Sequence, residues 1–303
     1  MPKAKLSVVI VSWNMGESLE RVLKSVQFAD EIVMVDVEST DNSVAIAKKY
    51  TKHVFSKKRD YDFVEPYRNF AISKASHDWI LVIDTDEVIP KPLQAKIREI
   101  IDNPTADAYF LPRQNLIFGK WITKAGWWPD YQLRLFKKGS VTWQNEIHSV
   151  PEVKGETFKL PAEEDNAILH YNYDSITQFI DKLNNYTSVQ AEQRQQKSPQ
   201  DDFTSEQLFA NFRDELMSRA LVRDGVGDGL HGNALSLLQA MSEAVVYLKQ
   251  WETAGFPEND QTDFGAILQQ LQKIWCYWWA DYQVRNTRGL TKIYWQIRRK
   301  FKL

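Results

Sequence analysis

The stretch Trp79-Ile80-Leu81-Val82-Ile83-Asp84-Thr85-Asp86 decides the fold and points to a site. Its five apolar residues predict a strand buried on both faces, and the strand ends abruptly in two carboxylates one residue apart. One carboxylate is placed to hold Mg²⁺ or Mn²⁺ while the other faces a ligand hydroxyl. A solvated turn after a buried strand is the simpler alternative.

The composition is that of an ordinary globular chain. It has 303 residues, 43% of them hydrophobic and 26% charged, with a net charge of −2. Nothing in this balance indicates a nucleic-acid partner. Because Cys276 is the single cysteine, the chain has no internal disulfide and no cysteine metal cage, which fits a reducing compartment.

Hydropathy predicts neither a membrane span nor a signal peptide. No run of about 18 apolar residues occurs, and residues 1–6 lead directly into a strand pattern without an apolar leader region. We therefore expect a cytoplasmic protein, in contact at most with the inner face of the cytoplasmic membrane.

The first part of the chain alternates between strand and helix patterns. Strands are predicted at 6–13, 32–35, 53–55, 79–83 and 108–112, and helices at 19–26, 43–50, 64–75 and 90–101. This order predicts an α/β fold with a mostly parallel sheet and helices on both faces. Ligands of such sheets bind at the carboxyl ends of the strands, which is where Asn14, Asp36 and Asp84 lie.

The rest of the chain divides into an irregular part and a helical part. Short strands are predicted at 133–136, 141–143 and 168–170, and long helices at 175–197, 204–222, 230–252, 262–284 and 290–301. We therefore expect two domains. Residues 1–174 would form the catalytic domain, and residues 175–303 a helical region for acceptor, membrane-surface or dimer contacts.

The segment 35–43 follows the second strand and carries Asp36, Ser39, Thr40 and Asp41. An acidic residue just past a strand can accept a hydrogen bond from a base N–H or a ribose hydroxyl. The later residues turn the chain and cap the next helix. We assign binding to Asp36 and mainly capping to the others.

Several motifs together resemble glycosyltransferase family 2, the inverting enzymes with a GT-A fold. They are Ser12-Trp13-Asn14, Val35-Asp36 with Ser39-Thr40-Asp41, Arg68-Asn69-Phe70-Ala71 and 79–87. The following part is similar to the bacterial branch that contains lipopolysaccharide-core β-glucosyltransferases and peptide S-glycosyltransferases. Its motifs are 129–136, His170-Tyr171, 182–187 and, more loosely, 228–232.

The resemblance implies a nucleotide-diphosphate sugar donor and an Mn²⁺ or Mg²⁺ ion. Enzymes of this family most often use a UDP-sugar as the donor. The acceptor would be a lipid-linked saccharide, a lipopolysaccharide-type core or a peptide. By position, the donor would be bound by Ser12, Asn14, Asp36 at the nucleobase, Arg68 and Asn69 near the nucleotide, and Asp84 at the ribose or sugar. Asp86 would ligate the metal. His170 would approach the pyrophosphate or the metal, unless it is a structural histidine.

An inverting transfer needs a base opposite the leaving group. In the resembling branch a His-Glu pair follows the strand at 133–136, but here Ser149 follows His148. Our first candidate for the base is Glu146, which shares a face with His148 if the segment is extended. Asp130 is the second candidate and His148 the third. Glu152 serves only after a small change of register.

Two further segments allow two interpretations each. In Gly126-Trp127-Trp128-Pro129, the indoles of Trp127 and Trp128 either form a sugar-stacking wall for the acceptor or pack in the core. The glycine-rich run 225–229 has no strand before it, so it predicts a turn that opens a helix rather than a dinucleotide site.

The C-terminal segment 288–303 interleaves basic and apolar residues and has no acid. This pattern is typical either of a helix lying on an anionic membrane or of a terminal helix packed on its domain with a solvated basic face. Upstream, Trp275, Trp278 and Trp279 belong either to the core or to a homodimer contact.

Two other function classes stay open. The run Asp84-Thr85-Asp86-Glu87-Val88 fits the D-x-D-x-[TV] pattern of phosphohydrolases, in which the first Asp is the nucleophile. That motif belongs on a first strand, however, and here it follows the fourth. The displaced base also allows a catalytically silent nucleotide-sugar-binding protein.

Overall fold

The computed structural model describes residues 3–61, 64–144, 151–198, 202–258 and 263–301. These residues form two compact units. The first is Met1–Lys182 with Arg219–Leu235, and the second is Leu183–Ser218 with Ser236–Leu303. The first unit thus includes a segment from beyond residue 175. The division of function between 1–174 and 175–303 stays a prediction.

The strands all lie in the first unit. They are β1 (Leu6–Ser12), β2 (Glu31–Asp36), β3 (His53–Ser56), β4 (Trp79–Ile83), β5 (Glu87–Val88), β6 (Ala108–Ile117), β7 (Lys120–Trp121), β8 (Asp130–Lys137), β9 (Val141–Thr142), β10 (Glu152–Val153), β11 (Thr157–Lys159) and β12 (Ile168–Tyr173).

The helices are α1 (Gly16–Ser25), α2 (Ser43–Ala47), α3 (Glu65–Lys74), α4 (Lys91–Asp102), α5 (Ile176–Lys197), α6 (Ser205–Met217), α7 (Leu230–Thr253), α8 (Phe264–Asn286) and α9 (Gly289–Phe301). Short 3₁₀ turns occupy Glu164–Asn166 and Gly225–Asp228, and a π-helical turn occupies Ser218–Val222. The predicted turn at 225–229, which opens a helix, is confirmed. The predicted helix 204–222 ends earlier, where α6 passes into the π turn.

The sheet has a parallel part and an antiparallel part. Its order is β3-β2-β1-β4-β8-β6-β12-β5, and β3, β2, β1 and β4 are parallel. The strand β8 runs antiparallel to both β4 and β6, while β12 returns parallel to β6. The expected fold class, a mostly parallel α/β sheet followed by a helical region, is confirmed.

Side-chain alternation along β1 sends its residues into two cores. Leu6, Val8 and Ile10 pack with the helices α1, α2 and α4, whereas Val9 packs on the opposite face with α3. Both faces of the parallel strands are therefore covered, which explains their continuous apolar sequence. Within the part of the chain that the structure describes, no helix is long and apolar enough to cross a membrane.

A buried carboxylate ties the strands together at their start. Glu31 in β2 accepts hydrogen bonds from the Ser7 hydroxyl, from the Ser76 hydroxyl at 2.9 Å and from the Ser76 N–H at 2.8 Å. Burial alone would raise the pKa of Glu31. The hydrogen bonds from Ser7 and Ser76 outweigh burial, so its pKa lies below the ordinary value.

We predict that Glu31→Gln lowers the free energy of unfolding near neutral pH by about 1–3 kcal/mol, because the amide cannot replace a carboxylate that accepts three bonds. Since the folded-state pKa is depressed, this stabilisation is present above the unfolded pKa and is lost as the pH falls through the folded pKa. Urea unfolding at several pH values should therefore show the two proteins converging in acid. The surface variant Glu99→Gln serves as control, and a difference that persists in acid would contradict the assignment.

Candidate active site

The carboxyl ends of the parallel strands bring three predicted donor-site residues to one edge. In the sheet register Ser12 at the end of β1 faces Asp36 at the end of β2. On the other side of β1, Ile10 faces Ile83, the last residue of β4. Asp84 follows Ile83 directly, so it leaves the sheet at the same edge as Ser12 and Asp36.

Asp84 is held by two arginines. Its Oδ1 accepts from Arg68 Nη2 at 2.6 Å, and its Oδ2 accepts from Arg134 Nη2. Burial would raise the pKa of Asp84, but the charges of Arg134 and Arg68 outweigh burial and hold its pKa below the ordinary value. Asp84 is therefore ionised.

Arg134 also binds Glu87, so that one guanidinium joins two acids. Its Nη2 donates to Glu87 Oε1 at 2.7 Å, and both side chains are almost fully buried. Glu87 accepts a further bond from Arg113 at 3.2 Å, and Arg113 in turn pairs with Asp130 at 2.7 Å. Burial would lower the pKa of Arg134, but the surrounding carboxylates raise it overall. The buried charges form one network of three acids and three arginines.

Asp86 faces His170, the other residue of the predicted metal pair. The strand β12 pairs with β5, which places His170 opposite Glu87, and Tyr171 N–H donates to Asp86 C=O at 2.9 Å. His170 Nε2 then lies 3.4 Å from Asp86 Oδ2. Burial would raise the pKa of Asp86, but the hydrogen bond and charge of His170 outweigh burial and lower it.

The tautomer of His170 is set by Asn115. The Asn115 amide nitrogen donates to Trp127 C=O at 3.0 Å and to Asp130 at 3.1 Å, so its Oδ1 is the acceptor that lies 2.6 Å from His170 Nδ1. His170 Nδ1 therefore carries a hydrogen, and Nε2 faces Asp86 Oδ2. A proton on Nε2 or a cation bound by both atoms accounts for this close approach.

Asp86 and His170 fit a divalent cation that takes its other ligands from phosphate and water. The Asp86 side chain keeps about a quarter of its surface exposed, so an ion can reach it. Among the described residues no group of three or more His, Cys, Asp and Glu is arranged to hold a metal. Asp86 and His170 alone would leave most coordination positions to phosphate oxygens and water, as Mg²⁺ prefers.

The donor side of the edge has buried polar atoms without partners. Within the described chain, neither Ser12 Oγ nor Asp36 Oδ1 has a hydrogen-bond partner, although both atoms are buried. The other carboxylate oxygen of Asp36 accepts from Ser39 N–H at 3.2 Å. Unsatisfied buried polar atoms are costly, so their presence together points to a ligand.

Asn14 and Asn69, two further donor-site candidates, already have structural partners. Asn14 Oδ1 accepts from Thr40 N–H at 2.7 Å and so fixes the turn after β2. The Asn69 amide both donates to Trp143 C=O at 2.8 Å and accepts from Trp143 N–H at 3.0 Å. Asn69 thus anchors the chain at Trp143, and its contact with a nucleotide stays a prediction.

The described candidates for the base are occupied by other partners. Asp130 is bound by Arg113 and Asn115, and Gln132 donates to its other oxygen at 2.8 Å. Burial would raise the pKa of Asp130, but Arg113 and these hydrogen bonds lower it, which disfavours a role as base. Glu152 is exposed and bonds to Gln144 at 2.7 Å.

Two of the candidate bases, Glu146 and His148, lie outside the described residues. Their assignment stays a prediction.

The two candidate acceptor residues, Trp127 and Trp128, are half-buried. Trp128 meets Trp121 edge to face, with 5.2 Å between ring centroids. Within the described chain the Trp127 indole N–H is buried and has no hydrogen-bond partner. The rings pack locally and still present surface, and a role for Trp127 and Trp128 in stacking on an acceptor sugar stays a prediction.

A segment from far along the chain anchors this tryptophan loop. Asp228 accepts from the N–H groups of Thr123 at 2.8 Å and Lys124 at 2.7 Å. Arg219 donates to Ala125 C=O at 3.0 Å. This contact gives the 228–232 motif a structural role, the positioning of the loop that carries Trp127 and Trp128.

The sequence reasoning missed three residues that organise the site. Arg134 and Arg113 balance the buried acids, and Asn115 orients His170. The sequence did indicate the two arginines, because each interrupts an apolar strand. A charged residue at such a position needs a buried partner of opposite charge. Asn115 gave no such signal, since its role depends on the pairing of β6 with β12.

Comparisons with known proteins identify the family. The family model described as Glycosyl transferase family 2 matches residues 7–151. An uncharacterized glycosyltransferase of Rickettsia bellii is 31% identical over 214 residues, which are 64% of this chain and 70% of that protein. LpsC of Rhizobium meliloti, a lipopolysaccharide core biosynthesis glycosyltransferase, is 25% identical over 205 residues, 64% of this chain and 73% of LpsC.

Among solved structures, that of S. aureus TarS 1-349 in complex with UDP aligns with a TM-score of 0.42 and 15% identity, covering 86% of this chain and 94% of that chain. The family model and the Rickettsia relative show the class of protein. The chain belongs to glycosyltransferase family 2.

We predict that Arg134→Met destabilises the protein by about 3–5 kcal/mol, because it leaves Glu87 and Asp84 buried without their shared cation. Restoring neutrality with Arg134→Met/Glu87→Gln should recover part of this loss. Chemical unfolding measures both variants.

The control is Lys96→Met, which removes the exposed partner of Glu99 and should change the free energy of unfolding by less than about 0.5 kcal/mol. An equal effect of Arg134→Met and Lys96→Met would contradict the network.

Proposed function

We propose that the chain is an inverting glycosyltransferase that moves a sugar from a UDP-sugar to a saccharide or lipid-linked saccharide, with a divalent cation held by Asp86 and His170. The observation that carries the proposal is the meeting of His170 Nε2 and Asp86 Oδ2 at 3.4 Å, with the histidine tautomer set by Asn115. A bound cation would neutralise charge that develops on the leaving diphosphate.

The buried polar atoms at the β1–β2 edge support a nucleobase site. Asp36 Oδ1 requires a hydrogen-bond donor, and the imide N–H of uracil is one. Ser12 Oγ can donate to a base carbonyl or accept from a ribose hydroxyl. Trp13 next to it is 43% exposed and lies under Arg59 at 3.4 Å, so an aromatic face stands at the same rim.

The arginine network supports the reaction by holding the site rigid. Arg68 and Arg134 keep Asp84 ionised and fixed, so its carboxylate is oriented before the donor binds. Fixed dipoles and charges need no reorganisation during the reaction, which is how enzymes stabilise transition states efficiently. In this proposal Asp84 contacts the ribose or sugar, and Asp86 contacts the cation.

Glu146 stays the leading candidate for the base. The described alternative Asp130 is neutralised by Arg113, so it is a weak proton acceptor. The name of LpsC supports a saccharide acceptor of the lipopolysaccharide-core type. The exposed parts of Trp127 and Trp128 would then stack on acceptor rings. A cytoplasmic location for this activity stays a prediction.

The geometry disfavours phosphohydrolase chemistry. A nucleophilic Asp84 would need a free carboxylate oxygen, but each of its oxygens accepts a hydrogen bond from an arginine. A silent nucleotide-sugar-binding protein has the same donor site, so turnover distinguishes it. Release of UDP from a UDP-sugar that requires Glu146 would exclude the silent alternative.

We predict that UDP stabilises the wild-type protein much more with Mn²⁺ than without it. The gain should reach about 2.7 kcal/mol when UDP is present at 100 times its dissociation constant. Asp86→Ala should abolish the Mn²⁺-dependent part of this gain. Thermal unfolding with UDP, Mn²⁺, both or neither measures this. Asp165→Ala, an exposed carboxylate elsewhere, is the control, and a full Mn²⁺ effect in Asp86→Ala would refute the metal assignment.

We also predict that Asp36→Asn weakens UDP binding by about 1–3 kcal/mol, because an amide nitrogen or oxygen replaces a buried carboxylate acceptor. Titration calorimetry with UDP and with ADP measures the change. The loss should be larger for UDP, since the uracil imide is the proposed partner. Equal losses for both nucleotides would place the nucleobase elsewhere.

A further inference from the structure

The last helix of the chain exposes a continuous apolar stripe. Its large apolar residues recur at intervals of three and four, which puts them on one face of a helix. Their exposures are 85% for Leu290, 52% for Ile293, 53% for Tyr294, 52% for Ile297 and 62% for Phe301. A stripe of this regularity normally faces a core, but here it faces outwards.

The other side of α9 packs on α8. Arg299 Nη1 bonds to Asp281 of α8 at 2.7 Å, while Trp295 is only half exposed. The orientation of α9 is therefore fixed within this unit, and the exposed stripe is the side turned away from α8. Arg298 and Lys300 border the stripe on its two sides. Around the helix, Arg298 lies just past Tyr294 at one edge of the stripe, and Lys300 lies just before Ile293 at the other edge.

The preceding helix, α8, also exposes apolar residues on one face. Along α8 the exposed apolar residues again fall on one face by their spacing, and aromatic rings dominate its second half. They are Phe264, Leu268, Leu271, Trp275, Trp279 and Tyr282, of which Trp275 is 74% exposed. Tryptophan and tyrosine are the residues enriched where proteins meet the lipid–water boundary.

The charge of this helical pair is strongly one-sided. Residues 264–301 contain seven Lys and Arg and a single acid, Asp281, although the whole chain has a net charge of −2. Asp281 is buried and binds both Arg285 at 2.8 Å and Arg299 at 2.7 Å. Within residues 264–301, the charges that remain exposed are therefore all positive.

We propose that α9, together with the exposed apolar face of α8, binds the surface of an anionic lipid bilayer. Its apolar stripe would enter the headgroup boundary while Arg298 and Lys300 contact lipid phosphates. A second copy of the chain fits less well, because a self-complementary contact would bring two positive faces together. The proposal does not depend on nucleotide binding, but it would hold a transferase next to a lipid-linked acceptor.

Sedimentation with lipid vesicles tests the proposal. The full-length protein should bind vesicles of phosphatidylcholine mixed with phosphatidylglycerol and should not bind vesicles of phosphatidylcholine alone. Ile293→Ser/Ile297→Ser should reduce binding at least about tenfold, because two apolar side chains lose their burial in the lipid. Lys300→Glu should reduce it several-fold and should make binding less sensitive to salt.

The matched control is Leu237→Ser/Met241→Ser on α7. This pair has the same spacing of four residues and similar exposure, 46% and 40%. It should bind the mixed vesicles as the wild type does. All variants should keep the Mn²⁺-dependent stabilisation by UDP, so that a failed lipid assay is separated from a failed donor site.

Three outcomes would overturn the proposal. The wild type does not bind the anionic vesicles, or it binds neutral vesicles equally well, or Ile293→Ser/Ile297→Ser binds as tightly as the control. Light scattering on the same proteins identifies the competing partner. A dimer that this pair of substitutions converts to a monomer, without any change in vesicle binding, would assign the stripe to a second copy.

Discussion

The site depends on one buried guanidinium, that of Arg134, which is shared between Asp84 and Glu87. Removing three acids and three arginines from water is costly, and only close pairing compensates for it. Arg134 lies on β8, whereas both acids lie just beyond β4, so the pairing joins the parallel part of the sheet to the antiparallel part. The edge where the proposed donor and metal residues meet is thus fixed by charge as well as by backbone hydrogen bonds.

A second chain of contacts runs through neutral groups and reaches the same edge. Asn115 on β6 orients His170 on β12, and His170 faces Asp86 after β4. The same asparagine holds Trp127 C=O, so one side chain links the proposed metal site to the tryptophan loop. This link shows how the strands beyond β4 contribute to the proposed site, since they carry the groups that orient the strand-end carboxylates.

Much of the first unit was predictable from the sequence, because buried parallel strands read as continuous apolar runs and their helices show a clear period. The strand 79–83 and the edge that collects Asn14, Asp36 and Asp84 follow directly from that pattern. The insertion of β8 between β4 and β6 was not predictable, since nothing local in the sequence specifies which strands pair. Arg113, Arg134 and Asn115 acquire their roles only through that pairing.

The described structure also changes the interpretation of single residues. Asn69 is a residue type that often contacts ligands. Here, both its amide nitrogen and its amide oxygen form hydrogen bonds with the backbone of Trp143. Asp228 belongs to a motif with no evident catalytic role. Its carboxylate accepts hydrogen bonds from the backbone of the tryptophan loop, about a hundred residues earlier in the chain. In both cases the sequence showed a conspicuous polar residue, and the contact that explains it joins positions too far apart to be inferred from spacing.

Anomalous diffraction from crystals grown with UDP and Mn²⁺ locates the cation and the nucleotide together. We expect an anomalous peak between Asp86 Oδ2 and His170 Nε2, in contact with the diphosphate, with the uracil ring at Asp36. A peak at any other carboxylate, or a UDP molecule bound away from the β1–β2 edge, would contradict this expectation.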